Sequence, residues 1–216
     1  MKIINPYLRS DVYCLLSECY LYPENEKRME IQHQSARVKD ILDNLALHTG
    51  YISSDAADGF LSALGAPLLE DCQVEYVRLF DYRPKCGIYE SSHIKSEGEN
   101  PAKLQLLLEE CYSHFGLGMS DGVSGPPDHL SIELEFMHFL SHKEAQAMEA
   151  GLEEDVETFL TAQREFSTHH LITWVPGFCD CLASHAQLDV YKRLSSITQT
   201  FVSEDLKYLD GLFQEK

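Results

Sequence analysis

The sequence predicts an all-α protein: a single helical domain made of two helical halves. Apolar residues recur at helical spacing along most of the chain, and no alternating strand pattern of useful length interrupts them. Of the 216 residues 44% are hydrophobic, which is enough for a sizeable core. Two stretches rich in glycine, proline and serine, at 81–101 and 116–127, break the helical pattern and predict ordered loops.

Each predicted helix follows from its own apolar spacing. The first has a face of five apolar residues and ends before Pro23, since proline cannot continue a helix. The third has a weak point at Gly65-Ala66-Pro67, where we expect an interruption. The first predicted helix begins near Leu8 and stops at Pro23, and the others span about 26–48, 54–80, 102–115, 128–150, 152–170, 172–185 and 189–212.

The stretch GLGMSDGVSGPP at 116–127 is the best candidate for a hinge, because glycine and proline end helices and permit turns. It divides the chain into an N-terminal helical half, 1–115, and a C-terminal helical half, 128–216. The sequence therefore predicts one domain whose two halves are joined at this loop.

The charge of the chain limits its partners. The formal net charge is −18 with only 17 lysines and arginines, and no cationic cluster is present to bind a phosphate backbone. Nucleic acid is therefore excluded as a partner. A strongly acidic surface attracts cationic partners, although the same charge can serve solubility alone.

The cysteines and the N-terminus indicate a cytoplasmic protein. The seven cysteines are odd in number, irregular in spacing and without a CxxC pair, which favours reduced thiols over a disulfide framework. Cys179 and Cys181, one residue apart, could contact a metal, but no second pair at zinc-site spacing accompanies them. Arg9 and Asp11 interrupt the apolar core that a signal peptide needs. No window approaches the roughly 20 apolar residues of a membrane span, so we expect no membrane insertion.

The segment GPPDHLSIELEFMHFL, 125–140, places polar residues at the start of a largely apolar helix. Asp128 is expected to be the N-cap of this helix. His129 and Glu133 lie four residues apart within the apolar arc, where unpaired charge is costly. Two interpretations stay open. The two side chains satisfy each other and a backbone group, or they form a polar anchor on the floor of a binding groove.

A second polar set follows on the same helix. Glu135, His138 and His142 have the spacing of a helical metal site, and a solvated polar face is the alternative. The chain has no GxSxG nucleophile motif and no GxxxxGK[ST] phosphate loop. The sequence therefore predicts a protein that is not an enzyme.

Four motifs, in order, resemble one family. The run PDHLSIELEFM at 127–137 is similar to the signature PDHLxxELEFM of the TorD/DmsD/NarJ family of cytoplasmic molybdoenzyme assembly chaperones. Upstream, EYVRLF at 75–80 resembles the family's ExYxxLF, and YES at 89–91 resembles its following loop. Downstream, HLITWVPGF at 170–178 is similar to HLxxWxPxF.

The resemblance implies a chaperone that binds the twin-arginine signal peptide on the precursor of a molybdopterin oxidoreductase catalytic subunit. It would hold that precursor back from export until the cofactor is inserted. An acidic groove with an apolar lining fits a peptide with a cationic front and an apolar middle. The residues expected to bind the peptide are Tyr76, Leu79, Phe80, Tyr89, Glu90, Pro127, Asp128, His129 and Glu133.

Several points stay open. Leu79 and Phe80 can equally pack in the core, and Trp174 is expected to be a structural anchor. Some family members bind GTP weakly, and some dimerise by exchanging halves about the hinge, so we expect a monomer or a hinge-swapped dimer. The rivals are a NarJ-type assembly factor for a molybdoenzyme that is not exported, a nucleotide-regulated helical adaptor, and a helical metal-binding protein using Glu135, His138 and His142.

Overall fold

The computed structural model describes residues 3–24, 35–94, 100–118 and 125–214. Within these ranges the fold is all-α, as predicted, and the β-structure consists of one isolated bridge. The described residues form nine α-helices: α1 (Pro6–Cys19), α2 (Ser35–Thr49), α3 (Ser54–Gly65), α4 (Leu69–Tyr76), α5 (Pro101–His114), α6 (Leu130–Ala150), α7 (Glu153–Phe166), α8 (Ile172–His185) and α9 (Asp189–Gln214).

The structure divides two of the predicted helices. The predicted helix 54–80 is divided into α3, α4 and a π-helical turn, Val77–Asp81, with the first division beside Pro67. The predicted helix 152–170 likewise ends in a π-helical turn, Ser167–Leu171. The predicted start at residue 26 lies outside the described residues.

Asparagine and proline together begin two of the helices. The side chain of Asn5 accepts a hydrogen bond from the Tyr7 amide at 2.9 Å, and Asn100 does the same for Ala102 at 2.9 Å. In both cases proline follows at the first helical position, where its missing N–H costs nothing. At the other end of α6, Gly151 adopts a left-handed conformation with φ of 69°, which glycine accepts without strain.

The two predicted halves share one hydrophobic core. It contains buried residues from both halves, among them Tyr13 of α1, Leu134 of α6, Phe178 of α8 and Phe201 of α9. α1 packs along α6, so the N-terminal helix is buried against the C-terminal half. Residues 119–124 of the predicted hinge lie outside the described residues, and the hinge itself stays a prediction.

A buried ion-pair cluster ties α1 to α6 and α9. Arg9 binds Asp205 through two hydrogen bonds of 2.6 and 2.8 Å and Glu144 through a third of 3.0 Å. The Tyr13 hydroxyl donates to Asp205 at 2.8 Å, and Gln163 donates to Glu144 at 2.9 Å. Burial disfavours the charge on Arg9, but Asp205 and Glu144 outweigh that cost and raise its pKa.

The first family-like motif joins the end of α4 to the α8–α9 turn. Glu75 accepts two hydrogen bonds from Arg78, at 2.7 and 2.8 Å, and two more from the backbone amides of Gln187 and Leu188. Burial opposes the ionisation of Glu75, but these hydrogen bonds prevail and lower its pKa. Glu75 and Arg78, the two charged residues of this motif, therefore stabilise the fold.

The cysteine prediction needs correction. Cys86, in the loop after α4, and Cys181, on α8, form a disulfide, where the irregular spacing favoured reduced thiols throughout. The pairing joins residues 95 positions apart, which no local spacing reveals. Within the described ranges, no helix has the length and apolar character needed to cross a membrane.

Candidate functional site

The site begins where two segments of the chain meet. The Glu90 amide donates to the Asp128 carbonyl at 2.9 Å, and the Leu130 amide donates to the Ile88 carbonyl at 3.1 Å. This antiparallel bridge between Tyr89 and His129 brings their rings edge to face, 5.2 Å apart. The bridge joins the YES and PDHL segments into one structural unit.

Asp128 holds this unit together. Its buried carboxylate accepts from the Ser91 amide at 3.1 Å and from the Gln105 side-chain amide of α5 at 3.0 Å. The preceding carbonyl, on Pro127, accepts from the Tyr112 hydroxyl at 3.0 Å. The prediction that Asp128 is the N-cap of the helix is therefore wrong. Its side chain turns to the neighbouring loop, and the helix begins two residues later.

His129 is the N-cap of α6. Its Nδ1 accepts from the Ser131 amide at 3.2 Å and lies 2.7 Å from the Ser131 hydroxyl oxygen. An accepting Nδ1 places the imidazole proton on Nε2. Burial lowers the pKa of His129 to about 4, with the nearby Asp128 opposing the shift. The imidazole is therefore neutral at neutral pH.

Glu133, one turn into α6, is not paired with His129, so the first of the two interpretations fails. Its Oε2 accepts from the indole N–H of Trp174 at 3.2 Å, and among the described residues its buried Oε1 has no hydrogen-bond partner. Burial raises the pKa of Glu133 well above its usual range, and the neighbouring carboxylate of Glu90 adds a smaller effect in the same direction. Trp174 is buried, as expected of an anchor, and also positions this carboxyl group.

Glu90 connects the buried carboxyl group to the protein surface. Its two oxygens lie 3.2 and 3.0 Å from Nδ1 of His170, whose ring stacks on Phe166 at 4.8 Å. Within the described part of the chain, no lysine or arginine makes an ion pair with Glu90, Asp128 or Glu133. We call these three residues the carboxylate cluster. It is stabilised by neutral donors and one imidazole.

His170 also lines a groove on the protein surface. This groove of about 590 Å³ lies between α5 and α7. Phe115, Ala162 and Phe166 give it an apolar floor, and two carboxylates, Glu157 and Glu165, line it. Its other lining residues include Cys111, His114 and His169. His170 therefore lies between the groove, which it lines, and the carboxylate cluster, which it contacts through Glu90.

Sequence reasoning missed the groove. Glu157 and Glu165 lie on the polar side of an ordinary amphipathic helix, α7, and nothing in their spacing relates them to α5. The HLxxWxPxF motif was the available signal, since its histidine, His170, is the link between groove and cluster.

Three predicted binding residues lie apart from the carboxylate cluster, in the core. Leu79 and Phe80 are buried, and the Phe80 ring contacts Tyr76 at 5.0 Å and Phe178 at 6.0 Å. The Tyr76 hydroxyl donates to the Tyr20 carbonyl at 3.3 Å. All three side chains are buried, in agreement with the core-packing alternative for Leu79 and Phe80. A role for them in peptide contact stays a prediction.

The predicted metal ligands on α6 are not brought together. His138 Nδ1 lies 2.8 Å from the Ser10 hydroxyl, His142 contacts Gln146 at 3.1 Å, and Glu135 is exposed. Among the described residues, the group formed by Cys86, Cys181 and His185 is the one that brings three potential ligand atoms within 4.8 Å of one another. Glu135, His138 and His142 therefore do not form the metal site that their spacing allowed.

Comparison with known proteins agrees with the motifs. The family model described as nitrate reductase delta subunit matches residues 53–180. The chaperone protein TorD of Vibrio cholerae serotype O1 is 26% identical over 222 residues, which cover 100% of this chain and 97% of the relative.

Two further relatives match a smaller part of the chain at higher identity. The perchlorate reductase assembly chaperone protein of Dechloromonas aromatica is 36% identical over 141 residues, 64% of this chain and 61% of the relative. The chlorate reductase assembly chaperone protein of Ideonella dechloratans is 33% identical over 119 residues, 54% of this chain and 58% of the relative. These three relatives are named as chaperones and not as enzymes. The chain belongs to the nitrate reductase delta subunit family, the TorD/NarJ family of redox enzyme maturation proteins.

Proposed function

We propose that this chain is a cytoplasmic assembly chaperone, not an enzyme, that binds the twin-arginine signal peptide of a molybdopterin oxidoreductase catalytic subunit. In this role it assists cofactor insertion and folding of the precursor before export. The names of the relatives, which are chaperones for perchlorate and chlorate reductase assembly, support the assembly role.

One observation carries the peptide-binding part: among the described residues, no lysine or arginine makes an ion pair with Glu90, Asp128 or Glu133, and Glu165 lines the adjoining groove. Arginine presents five N–H donors in a planar fork, and carboxylates accept such forks through two parallel hydrogen bonds. Glu157 and Glu165 are within reach of solvent, and Glu90 lies beyond them behind His170. The arginine pair of a leader therefore fits the acidic lining.

The apolar part of a leader fits the same groove. Phe115, Ala162 and Phe166 form a continuous apolar floor, and the Phe115 and Phe166 rings both contact Phe136 beneath them, at 5.8 and 4.9 Å. Apolar side chains of a bound peptide would bury area against this floor, while the carboxylates fix the peptide's cationic end. The net charge of −18 would speed the encounter at low salt.

The PDHL residues take an indirect part in this proposal. Asp128 and His129 are buried and hold the Tyr89–Ser91 segment against α6, which sets the position of Glu90 beside His170. Their substitution should weaken peptide binding by displacing Glu90, since neither side chain faces the groove between α5 and α7.

The experiment is a pull-down from the native cytosol with the chain as bait and mass spectrometry of the bound proteins. We expect recovery of an unprocessed molybdoenzyme catalytic subunit. A matched bait, Ala162→Trp, fills the groove floor and should recover much less of it. Recovery of no such subunit, from cells shown to express one, would contradict the proposal.

A second candidate, a NarJ-type factor for a molybdoenzyme that is not exported, is favoured by the match to the nitrate reductase delta subunit model. The recovered client decides between them, because a client without an arginine pair in its N-terminal segment supports this second function. The family resemblance also predicts weak GTP binding and a monomer or hinge-swapped dimer. Titration with GTP and light scattering of the purified chain test these two predictions.

A further inference from the structure

Cys86, Cys181 and His185 form a cluster that the proposed function does not use. Cys86 is buried in the loop after α4, Cys181 is half-buried on α8, and His185 lies one helical turn beyond it and is exposed. The two sulfurs are joined as a disulfide, and one nitrogen of His185 completes a group whose three atoms lie within 4.8 Å of one another. Cysteine and histidine together are the donor set that zinc prefers in proteins.

We propose that the reduced form of this cluster is a binding site for a soft divalent cation, with zinc as the representative ion. A dithiol or phosphine reductant supplies two electrons, and solvent supplies two protons, so the S–S bond breaks and two thiols form. When the ion binds, both thiol protons are released to solvent, and each thiolate donates an electron pair to the ion.

The distances suit such an ion. Cys181 Sγ lies 3.6 Å from His185 Nδ1. With bonds of about 2.3 Å to sulfur and about 2.0–2.1 Å to nitrogen, a tetrahedral zinc ion needs these two donors about 3.6 Å apart. The two residues are four positions apart on α8, and hence neighbours on one helix face. The helix therefore already sets one edge of the tetrahedron.

The remaining donor is Cys86. Once the disulfide is broken, the two sulfurs need a separation of about 3.8 Å around the same ion. Cys86 lies in a loop, where its backbone amide donates to the Leu79 carbonyl at 3.0 Å, so rotation about its χ1 angle can move the sulfur while the backbone stays in place. Three protein donors leave the fourth position of the ion for water.

His185 must change one contact to bind. Its Nδ1 lies 2.9 Å from the Cys181 carbonyl oxygen, an interaction that requires a proton on that nitrogen. A ligand nitrogen carries no proton, so ion binding shifts the proton to Nε2, which faces solvent on this exposed residue. Affinity should therefore fall as the pH is lowered and the imidazole and thiols become protonated.

The site would fix one loop to one helix. The loop that carries Cys86 continues directly into Tyr89 and Glu90, and α8 carries Trp174, the partner of Glu133. Whether joined by a disulfide or by an ion, Cys86 and Cys181 hold the base of the carboxylate cluster against α8. The ion would preserve that link in the reduced protein.

Cobalt titration of the full-length, untagged and fully reduced chain tests the proposal. We expect one equivalent of Co²⁺ to produce thiolate-to-cobalt charge-transfer absorption and the visible bands of a tetrahedral ion, and we expect Zn²⁺ to abolish both. Cys181→Ser and His185→Gln should weaken binding at least tenfold, while Cys14→Ser, at a half-buried thiol elsewhere, should not. The oxidised chain should bind no ion here.

Failure takes a definite form. If the reduced parent shows no charge-transfer absorption, or if Cys181→Ser and His185→Gln titrate like the parent, the cluster is a thiol pair only and the proposal is wrong. Circular dichroism of each variant confirms folding, and the exposed position of His185 makes His185→Gln the variant that keeps the test decisive if a cysteine variant does not fold.

Discussion

Two of the regions that bury carboxylates stabilise them in opposite ways. Around Arg9, the carboxylates of Asp205 and Glu144 share one buried guanidinium. In the carboxylate cluster, Asp128 accepts from neutral amides, and Glu133 accepts from an indole N–H. The first region contains its own cation, whereas the second presents acceptors without one.

We interpret this difference as a difference in role: the Arg9 cluster stabilises the fold, and the carboxylate cluster is kept for binding. A buried carboxylate without a cation is costly, and burial accordingly raises the pKa of Glu133, which favours its uncharged form. A fold selected for stability alone has no need of such a group, and strongly shifted titratable groups concentrate at functional sites. The Arg9 cluster therefore holds the helices together, and the carboxylate cluster is where we propose that a cationic partner binds.

The largest effect is expected at the Arg9 cluster. Arg9→Met leaves Asp205 and Glu144 buried without their cation, which should lower the free energy of unfolding by about 3–5 kcal/mol. Urea denaturation measures it. Lys39→Met, which removes the exposed ion pairs with Asp43 and Asp58, is the control and should lower the free energy of unfolding far less. A loss below about 1 kcal/mol for Arg9→Met would mean that the Arg9 cluster stabilises the fold no more than an exposed ion pair does.

A pH effect is next in size. Because the pKa of His129 is about 4 in the folded chain and about 6.5 when unfolded, the unfolded state binds the extra proton between these values. Stability therefore falls as the pH is lowered from 6.5 to 4, by about 3 kcal/mol in total. His129→Asn keeps an N-cap but does not titrate, so the parent should lose this amount relative to the variant. Urea denaturation at several pH values measures the free energy of unfolding of both proteins. If it changes with pH equally in the two, the lowered pKa of His129 is wrong.

Glu133 should make the free energy of unfolding depend on pH in the opposite direction. Its raised pKa means that the folded state keeps a proton which the unfolded state releases above about pH 4.3. Stability therefore declines as the pH rises above that value. Glu133→Gln mimics the protonated acid and should remove the decline. Urea denaturation of both proteins at pH 5 and pH 8 measures it, and an unchanged slope in Glu133→Gln would show that Glu133 is ionised in the folded chain.

The smallest effect is expected at the rim of the groove. Glu165→Gln removes one exposed carboxylate and should weaken binding of an arginine-containing leader peptide by roughly two- to fivefold, as expected of a solvent-exposed ion pair. Glu153→Gln, on the same helix but outside the groove lining, should bind like the parent. If both variants lose affinity equally, the peptide is attracted by the overall negative charge and does not bind in this groove.

The sequence predicted the helices better than the site. Helical spacing locates α8 and α9 almost to the residue, because their apolar faces pack against one core. It placed the N-cap on Asp128, since nothing local shows that this side chain bonds to Ser91 and Gln105. The Glu90–His170 contact and the Cys86–Cys181 pair join distant segments, so they become visible only when the chain is folded.

The most direct test of the account is the affinity of the chain for the N-terminal peptide of its recovered client. Fluorescence titration compares the natural peptide with one whose two arginines are replaced by glutamine, at low and at moderate salt. We expect the substituted peptide to bind at least tenfold more weakly, and the natural peptide to weaken with salt. If both peptides bind equally at both salt concentrations, the carboxylates do not bind the arginines of the leader, and the central claim is wrong.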